Sequence, residues 1–369
     1  MKPRLEYLDW VRGVAAVIML QGHVFHSFLN PAGRVGASFQ LSQFAGGMPP
    51  AIFLFLTGVT LAFLMHSGER RGESRRARVL GALRRAGYLM GLAFLFRLQL
   101  WLFIFPQSPW TDLLRVDILN SMGLAIALMS PAALVATATR VKICALAGMA
   151  IAAAAPLVSA LDWSRAPVLL RSYIAPDYFS FGLFPWAAFV AFGLSVGSGL
   201  RLMRPEQVEG AVRWAALAGG LLILAGQHLA GPPYWFYPKT EFWLDHPALI
   251  AIKLGVILLI LAFAFVWMRQ CAGWSWVRQL GTTSLLVYWV HTELVYGRWL
   301  GVLKERLTAP QTVAAAAGVI FLMLGLSLAQ THRGRLREIL AGFAARGWPE
   351  RELGLSLRLR GSMSSPGPD

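Results

Sequence analysis

The chain has 369 residues, of which 56% are hydrophobic and 14% are charged, whereas soluble domains carry about 25% charged residues. This composition excludes an ordinary soluble protein. The net charge of +16 does not indicate nucleic-acid binding, because the basic residues lie in short segments between apolar runs and form no nucleic-acid-binding motif. We therefore predict an all-α, polytopic integral membrane protein whose partners include membrane lipids and no nucleic acid.

Ten apolar segments follow one another along the chain, each long enough to cross a hydrocarbon layer of roughly 30 Å as a helix. They are 11–29, 48–65, 86–105, 116–138, 143–161, 179–200, 211–230, 247–268, 277–299 and 311–330. About ten transmembrane helices are therefore expected in one membrane domain, residues 1–330. Residues 331–369 are expected to form a basic cytosolic tail that is partly disordered, because it ends in a stretch rich in Ser, Pro and Gly.

The arginines indicate the orientation. Seven of them lie between Ser67 and Arg85, and the positive-inside rule places such a loop in the cytosol. Counting crossings from this loop puts both termini, and the link that contains Arg140, on the cytosolic side. The sequence thus predicts a multi-pass protein of the inner (cytoplasmic) membrane.

The first predicted helix carries a polar stripe. Arg12 and His23 are eleven positions apart, a rotation of about 1100°, so they share one helical face. Asp9 and His26 extend this face to a stripe about 25 Å long, which suits a long, thin substrate. The alternative is that Asp9 and Arg12 form an interfacial ion pair and that His23 is a hydrogen-bonded packing residue. No metal site is predicted, because no acidic residue lies near the two histidines.

The ninth apolar segment offers a second polar face. Ser284, Tyr288 and His291 are spaced four and three residues apart and should lie together, with Glu293 nearby. His291 is predicted at the same depth as His23, so the two imidazoles could meet in one chamber. The alternative is that Tyr288 and His291 only form hydrogen bonds between helices.

Ionisable side chains inside a bilayer are costly and are usually functional. Arg97 is the most isolated of these charges and needs a partner or an anion. Asp117 and Asn120 could be that partner or could contact an acceptor, and their depth favours the acceptor. Lys253 lies near the end of the eighth segment and is expected to extend to the interface.

These residues resemble the transmembrane acyltransferases. Two branches share the opening signature: acyltransferase family 3 and the bacterial relatives of the heparan-alpha-glucosaminide N-acetyltransferase catalytic domain, and this chain looks nearer to the second. The resemblance is carried by Arg4, Leu8, Asp9, Arg12, Gly13, Met19 and His23, and by the segments 53–58, 117–123, 184–193 and 280–297.

The resemblance implies transfer of an acyl group, commonly acetyl, from cytosolic acyl-CoA to a hydroxyl or amine of a sugar or glycolipid at the outer face. The co-substrate is then acyl-CoA, commonly acetyl-CoA, and no metal is required. In the animal enzymes of this branch the catalytic His is assigned to the first luminal loop, but the corresponding loop here, Asn30 to Gly47, has no His. The role of base or acyl carrier therefore falls on His23 or His26, and the family 3 spacing favours His23.

The catalytic residues expected from the resemblance are His23, Arg12 and Asp9. Substrate binding is expected from the remaining polar residues of the predicted helices, namely His26, Arg97, Asp117, Asn120, Ser284, Tyr288, His291 and Glu293. The alternative function is a transporter or channel that uses the intramembrane Arg, His and Asp residues as a substrate or proton path. Paired repeats with matching helix breaks are typical of transporters, and none is recognisable in the sequence.

Overall fold

The computed structural model describes residues 5–104, 106–178, 180–231, 237, 239–271 and 273–334. Within these residues the chain forms thirteen α-helices and no β-sheet, so the all-α prediction is confirmed there. The helices are α1 (Glu6–Phe28), α2 (Ala37–Gly46), α3 (Met48–Arg70), α4 (Arg75–Ile104), α5 (Ile118–Met129), α6 (Thr137–Ser159), α7 (Val168–Ile174), α8 (Leu183–Leu202), α9 (Pro205–Leu229), α10 (Pro247–Gln270), α11 (Trp276–Thr282), α12 (Ser284–Tyr296) and α13 (Ala309–Thr331).

The chain divides into two units. Met1–Ser327 contains α1 to α12 and most of α13, and Leu328–Asp369 begins within the last helix. Most of the predicted basic tail, from residue 335 onward, lies outside the described residues, as do Lys2 and Arg4 near the start.

Eight stretches of the described helices are long and apolar enough to cross a membrane, which supports a polytopic membrane protein. They contain α3, α4, α5, α6, α8, α9, α10 and α13. The first predicted span, α1, is not among the eight, because Arg12, Gln21, His23 and His26 lower its hydropathy. The count of ten and the cytosolic position of the termini remain predictions.

The ninth apolar segment is not one helix, and that part of the prediction is wrong. The chain leaves helical geometry at Thr283 (φ −118°, ψ 22°), which separates α11 from α12. The hydroxyl of Thr282 donates to the carbonyl oxygen of Gln279 at 2.8 Å, and the Thr283 hydroxyl bonds the Ser327 hydroxyl at 2.6 Å. Thr and Ser side chains that bond nearby backbone groups compete with the helical hydrogen-bond pattern, which explains a break within an apolar segment.

The centre of the bundle is formed where α3 and α8 cross. A Cβ added at Gly193 would overlap the carbonyl oxygen of Phe55, and one at Gly58 would overlap that of Val190. Small residues let two membrane helices approach to backbone contact, where dispersion forces are strongest. The glycines in two of the segments that resemble the acyltransferases thus hold these helices together.

Arg140 lies in the link that the arginine pattern assigns to the cytosol, and the structure adds that its side chain is 0% exposed. Its guanidinium donates to the carbonyl oxygens of Ala132 and Val135, both at 2.9 Å, and lies 3.5 Å from the Glu69 carboxylate. Thr137 donates to the same carboxylate at 2.6 Å. This network joins the end of α3 to the start of α6. We call this end of the bundle, where α1 and α4 also begin, the basic end.

The helix contact at Gly193 predicts a position-specific effect on stability. Gly193→Ala should lower the midpoint of thermal unfolding in detergent, because the added methyl group displaces the α3 backbone. Gly199 lies on the same helix with no atom within 4 Å of an added Cβ. Gly199→Ala should therefore leave the midpoint unchanged or raise it slightly, since alanine is favoured over glycine in a helix by up to about 1 kcal/mol. Equal effects of the two substitutions would contradict the packing described here.

Candidate functional site

Two histidines from distant parts of the chain meet within the bundle. His23 Nδ1, on α1, lies 2.8 Å from His291 Nε2, on α12. The two rings are stacked with their centroids 5.0 Å apart. His291 is 0% exposed, whereas His23 is partly exposed. His291 is therefore enclosed by protein, whereas His23 keeps part of its surface exposed.

The hydrogen bonds fix the tautomers of both rings. His291 Nδ1 lies 2.6 Å from the carbonyl oxygen of Val287, and because a carbonyl can only accept, Nδ1 carries the proton. In the neutral ring, His291 Nε2 is then an acceptor, and His23 Nδ1–H must be the donor to it. The proton-free nitrogen of His23 is Nε2, which has no hydrogen-bond partner among the described residues. The pair thus presents a single basic nitrogen to a substrate.

The position of His23 depends on how α1 packs. A Cβ at Gly13 would overlap the carbonyl oxygen of Val277, and one at Gly281 would overlap that of Asp9. The α1 and α11 backbones are therefore in direct contact near the basic end. Only glycine permits this approach, which explains the Gly of the opening signature and the first Gly of the 280–297 segment.

The polar stripe predicted for the first helix is present on the continuous helix α1. Asp9 is buried and its carboxylate accepts from Arg12 Nη1 at 2.9 Å, while the Arg12 side chain retains 24% exposure. Arg12 lies about 16 Å below His23 along the helix axis, so the two do not touch. His26 is exposed, and its ring is 6.2 Å from that of Tyr296, which also contacts His23 at 5.1 Å. Asp9 and Arg12 form an ion pair. Because the Arg12 side chain is still partly exposed, it can also contact a substrate.

Arg97 has a carboxylate partner. Its Nε lies 3.1 Å from Asp117 Oδ2, and both side chains are largely buried. Asp117 caps α5 by accepting from Leu119 N at 3.1 Å, and Asn120 donates to the Tyr173 hydroxyl at 3.0 Å. Of the two alternatives for Asp117, the structure shows the ion pair. That pair neutralises the guanidinium where water is scarce.

Glu293 has one carboxylate oxygen without a partner. Its Oε1 accepts from Gln99 Nε2 at 3.2 Å, and Gln99 Oε1 accepts from Trp289 Nε1 at 2.8 Å. The other oxygen, Oε2, is buried and has no hydrogen bond from the described residues. A buried acceptor in this state is costly, so it is suited to receive a substrate N–H or O–H group.

Two of the remaining predicted residues lie on α12, and a third residue, Lys253, differs from its expected position. Ser284 begins α12, and Tyr288 lies on the same helix with its ring 6.1 Å from that of His291. Lys253, which was expected to extend to the interface, is instead 8% exposed, with Nζ 5.0 Å from the Trp186 ring centroid. That expectation was wrong. Position 47 is a glycine, and its lack of a side chain leaves room for the Lys253 ammonium group, which lies 3.5 Å from the place that a Cβ at position 47 would occupy.

Sequence reasoning missed several contacts of the site. The sequence alone assigns no role to Tyr296, Gln99, Trp289 or Tyr173. All four are uncharged, and their roles arise from contacts between segments far apart in sequence, for which a single sequence gives no signal. In the described part of the chain, no group of three His, Cys, Asp or Glu side chains could hold a metal ion.

The comparison with known families gives one match. A family model described as heparan-alpha-glucosaminide N-acetyltransferase, catalytic, matches residues 4–231, more than half of the chain. It supports the second of the two branches that the sequence resembles, while likeness to family 3 remains a prediction. His23 lies within the match and His291 lies outside it. No curated protein matches the chain.

The hydrogen bonds of the imidazole pair predict a specific tautomer for His23. In protein labelled with ¹⁵N-histidine, neutral His23 should carry its proton on Nδ1, in contrast to the Nε2–H tautomer that free histidine favours. The assignment can be made by comparing nitrogen spectra of wild type and His23→Gln. In His291→Ala the acceptor is absent, and the Nδ1–H signal should weaken. An Nε2–H tautomer in the wild type would contradict the arrangement.

Proposed function

Because the chain belongs to the heparan-alpha-glucosaminide N-acetyltransferase catalytic-domain family, we propose that it is a membrane-embedded acyltransferase that uses acetyl-CoA. The acceptor is a hydroxyl or amine of a sugar or glycolipid. One observation carries the proposal: partly exposed His23 has a proton-free Nε2, and its other nitrogen is held by a buried imidazole. This is the arrangement that a general base requires.

In the proposed reaction His23 Nε2 takes the proton of the acceptor O–H or N–H group. The acceptor oxygen or nitrogen forms a bond to the acetyl carbon, and the bond from that carbon to the CoA sulfur breaks. The thiolate leaves with the bonding electron pair and takes the proton from the His23 imidazolium, so the products are the acetylated acceptor and free CoA. While His23 is charged, His291 Nε2 accepts its Nδ1–H and stabilises the cation.

A covalent route uses the same atoms. His23 Nε2 can itself attack the thioester carbon, which breaks the bond to sulfur, releases the CoA thiolate and leaves an acyl-imidazole. The acceptor oxygen or nitrogen then bonds to the acyl carbon, the bond from that carbon to Nε2 breaks, and the acceptor proton passes to the thiolate, so the products are again the acetylated acceptor and free CoA. The two routes differ only in whether the acetyl group rests on the protein. The partly exposed position of His23 fits both.

The basic end has groups that fit the phosphates of CoA. Arg12 is partly exposed, and Arg85 on α4 is close enough to interact with it electrostatically. Asp9 pairs with Arg12, and the Arg85 guanidinium adds positive charge beside it that an anion can neutralise. The axial distance of about 16 Å from Arg12 to His23 suits a long, thin arm such as pantetheine.

The position of Arg12 and Arg85 at the basic end indicates from which side of the membrane acetyl-CoA would enter. The arginine-rich connection between α3 and α4 is at the basic end, which the positive-inside rule assigns to the cytosol. Acetyl-CoA would then enter from the cytosol, and the acceptor would be presented at the outer face of the cytoplasmic membrane. Glu293, whose Oε2 lacks a partner, would accept a hydrogen bond from the acceptor or the acyl arm.

One structural feature favours the transporter alternative. Broken membrane helices form the binding sites of many transporters, and the chain breaks between α11 and α12. The polar groups at this break are paired, however: Thr283 and Gln279 both bond Ser327, the latter at 2.9 Å. These hydrogen bonds hold α13 against the break, so the polar side chains there serve helix packing, and we favour the enzyme.

The test is acetyl transfer by purified full-length protein in detergent or nanodiscs. Radiolabelled acetyl-CoA should be turned over with release of CoA. His23→Ala should slow transfer by about 10²- to 10⁴-fold, the usual loss when a general base is removed. It should still bind acetyl-CoA, because Arg12 and the rest of the basic end are unchanged.

The matched control is His228→Ala, an exposed histidine on α9 away from the pair, which should keep wild-type activity. Folding is checked by the midpoint of thermal unfolding of each variant. A folded wild type that neither binds nor consumes acetyl-CoA would refute the enzyme and leave transport as the better account. Full activity of His23→Ala would refute the assigned base.

A further inference from the structure

A cavity of about 370 Å³, open to the surface, lies at the end of the bundle opposite the basic end, and its volume is within the range of roughly 300–1,000 Å³ typical of small-molecule sites. Its walls come from the 3₁₀ helix Trp110–Leu114, from α7 and from the residues just before α8. Six of the lining residues are polar, namely Thr111, Asp112, Arg115, Ser172, Asp177 and Ser180.

The walls of this cavity are tied to the bundle. Ser108 donates to the Asp112 carboxylate at 2.6 Å, which holds the 3₁₀ helix, and Phe181 N donates to the Val116 carbonyl oxygen at 3.2 Å. Tyr173 of α7 is held by the Asn120 amide of α5. The cavity is therefore largely pre-formed, as small-molecule sites usually are.

The lining has the chemistry of a carbohydrate site. Hydroxyls, two carboxylates and one guanidinium supply both acceptors and donors for the hydroxyl groups of a sugar. Leu114 and Val168 add an apolar contact for the C–H face of a sugar ring. A CoA phosphate would instead meet the charges of Asp112 and Asp177, which oppose an anion.

Ser180 gives a second indication that the cavity takes a ligand. It lines the cavity and is 8% exposed, yet its hydroxyl has no hydrogen-bond partner in the described part of the chain. Buried hydroxyls are normally paired, and an unpaired one costs about 1–3 kcal/mol. A hydroxyl group of a bound sugar can supply the missing partner after a rotation of the side chain.

A chain of interactions connects the cavity lining with the imidazole pair. Arg115, in its wall, is near enough to Tyr296 to interact electrostatically with it, and the Tyr296 ring contacts that of His23. Two residues after Arg115 is Asp117, the partner of Arg97. These interactions link the lining of the cavity to the imidazole pair.

We propose that this cavity is the acceptor site, and that it holds the sugar whose hydroxyl or amine receives the acetyl group. The inference rests on the proposed function and adds to it the place and the class of the acceptor: a neutral or amino sugar, bound through its hydroxyls. Donor and acceptor then approach His23 from opposite ends of the bundle.

The test is direct binding to the full-length protein, measured by calorimetry with glucosamine and glucose as one pair of probes and acetyl-CoA as the other. Ser172→Phe fills the cavity and should weaken sugar binding at least about tenfold, because the ring occupies space that the sugar needs. Acetyl-CoA binding should not change. Ser164→Phe is the matched control, since Ser164 is an exposed residue of the same connection outside the cavity lining.

Ser180→Ala is the second variant, in case Ser172→Phe does not fold. It should weaken sugar binding by roughly threefold to tenfold, the equivalent of one hydrogen bond. Unchanged sugar affinity in a folded Ser172→Phe, or in Ser180→Ala where the first variant does not fold, would overturn the acceptor site. So would a wild type that binds acetyl-CoA but neither sugar. A wild type that binds sugar but not acetyl-CoA would instead overturn the proposed function and leave the cavity as a sugar site.

Discussion

The hydrogen bond from His291 Nδ1 to the carbonyl oxygen of Val287 determines the chemistry of the site. It places the proton of this fully buried ring on Nδ1. His291 Nε2 is then an acceptor, so His23 must donate to it from Nδ1. If His291 had the other tautomer, its Nδ1 lone pair would face the Val287 carbonyl oxygen, two acceptors that repel, and its Nε2–H would donate to His23 Nδ1, which would leave the proton of His23 on Nε2. The backbone of α12 therefore sets which nitrogen of a residue on α1 is free to act as a base.

Close packing of the helices holds His23 and His291 within hydrogen-bond distance of each other. Glycines at 13 and 281 bring α1 and α11 into backbone contact, and those at 58 and 193 do the same for α3 and α8. Inside a membrane, burial of apolar surface does not drive helix association, so such contacts and interhelical hydrogen bonds carry much of the stability. The same logic accounts for the pairing of Arg97 with Asp117 and of Arg140 with Glu69.

The sequence predicted the helical character of the chain and the polar face of the first helix, because hydropathy and helical periodicity are local properties. Depth counting also placed His23 and His291 at one level. It could not foresee the break at Thr283, which depends on a hydrogen bond to Ser327 on α13. The burial of Arg140 and Lys253 was missed for the same reason, since the positive-inside rule counts charges and does not see the space between helices. The cavity at the end opposite the basic end depends on contacts between two separate connections, α4–α5 and α6–α8, for which periodicity gives no signal.

The central claim is that acetyl-CoA reaches His23 Nε2 from the basic end. A cryo-EM structure of the full chain with an acetyl-CoA analogue, in which a methylene group replaces the thioester sulfur, tests this most directly. The account predicts the acetyl carbonyl carbon within about 6.5 Å of Nε2, with room for one acceptor atom between them, and the phosphates beside Arg12. An acetyl group bound away from the imidazole pair, or His23 Nε2 covered by lipid, would contradict it.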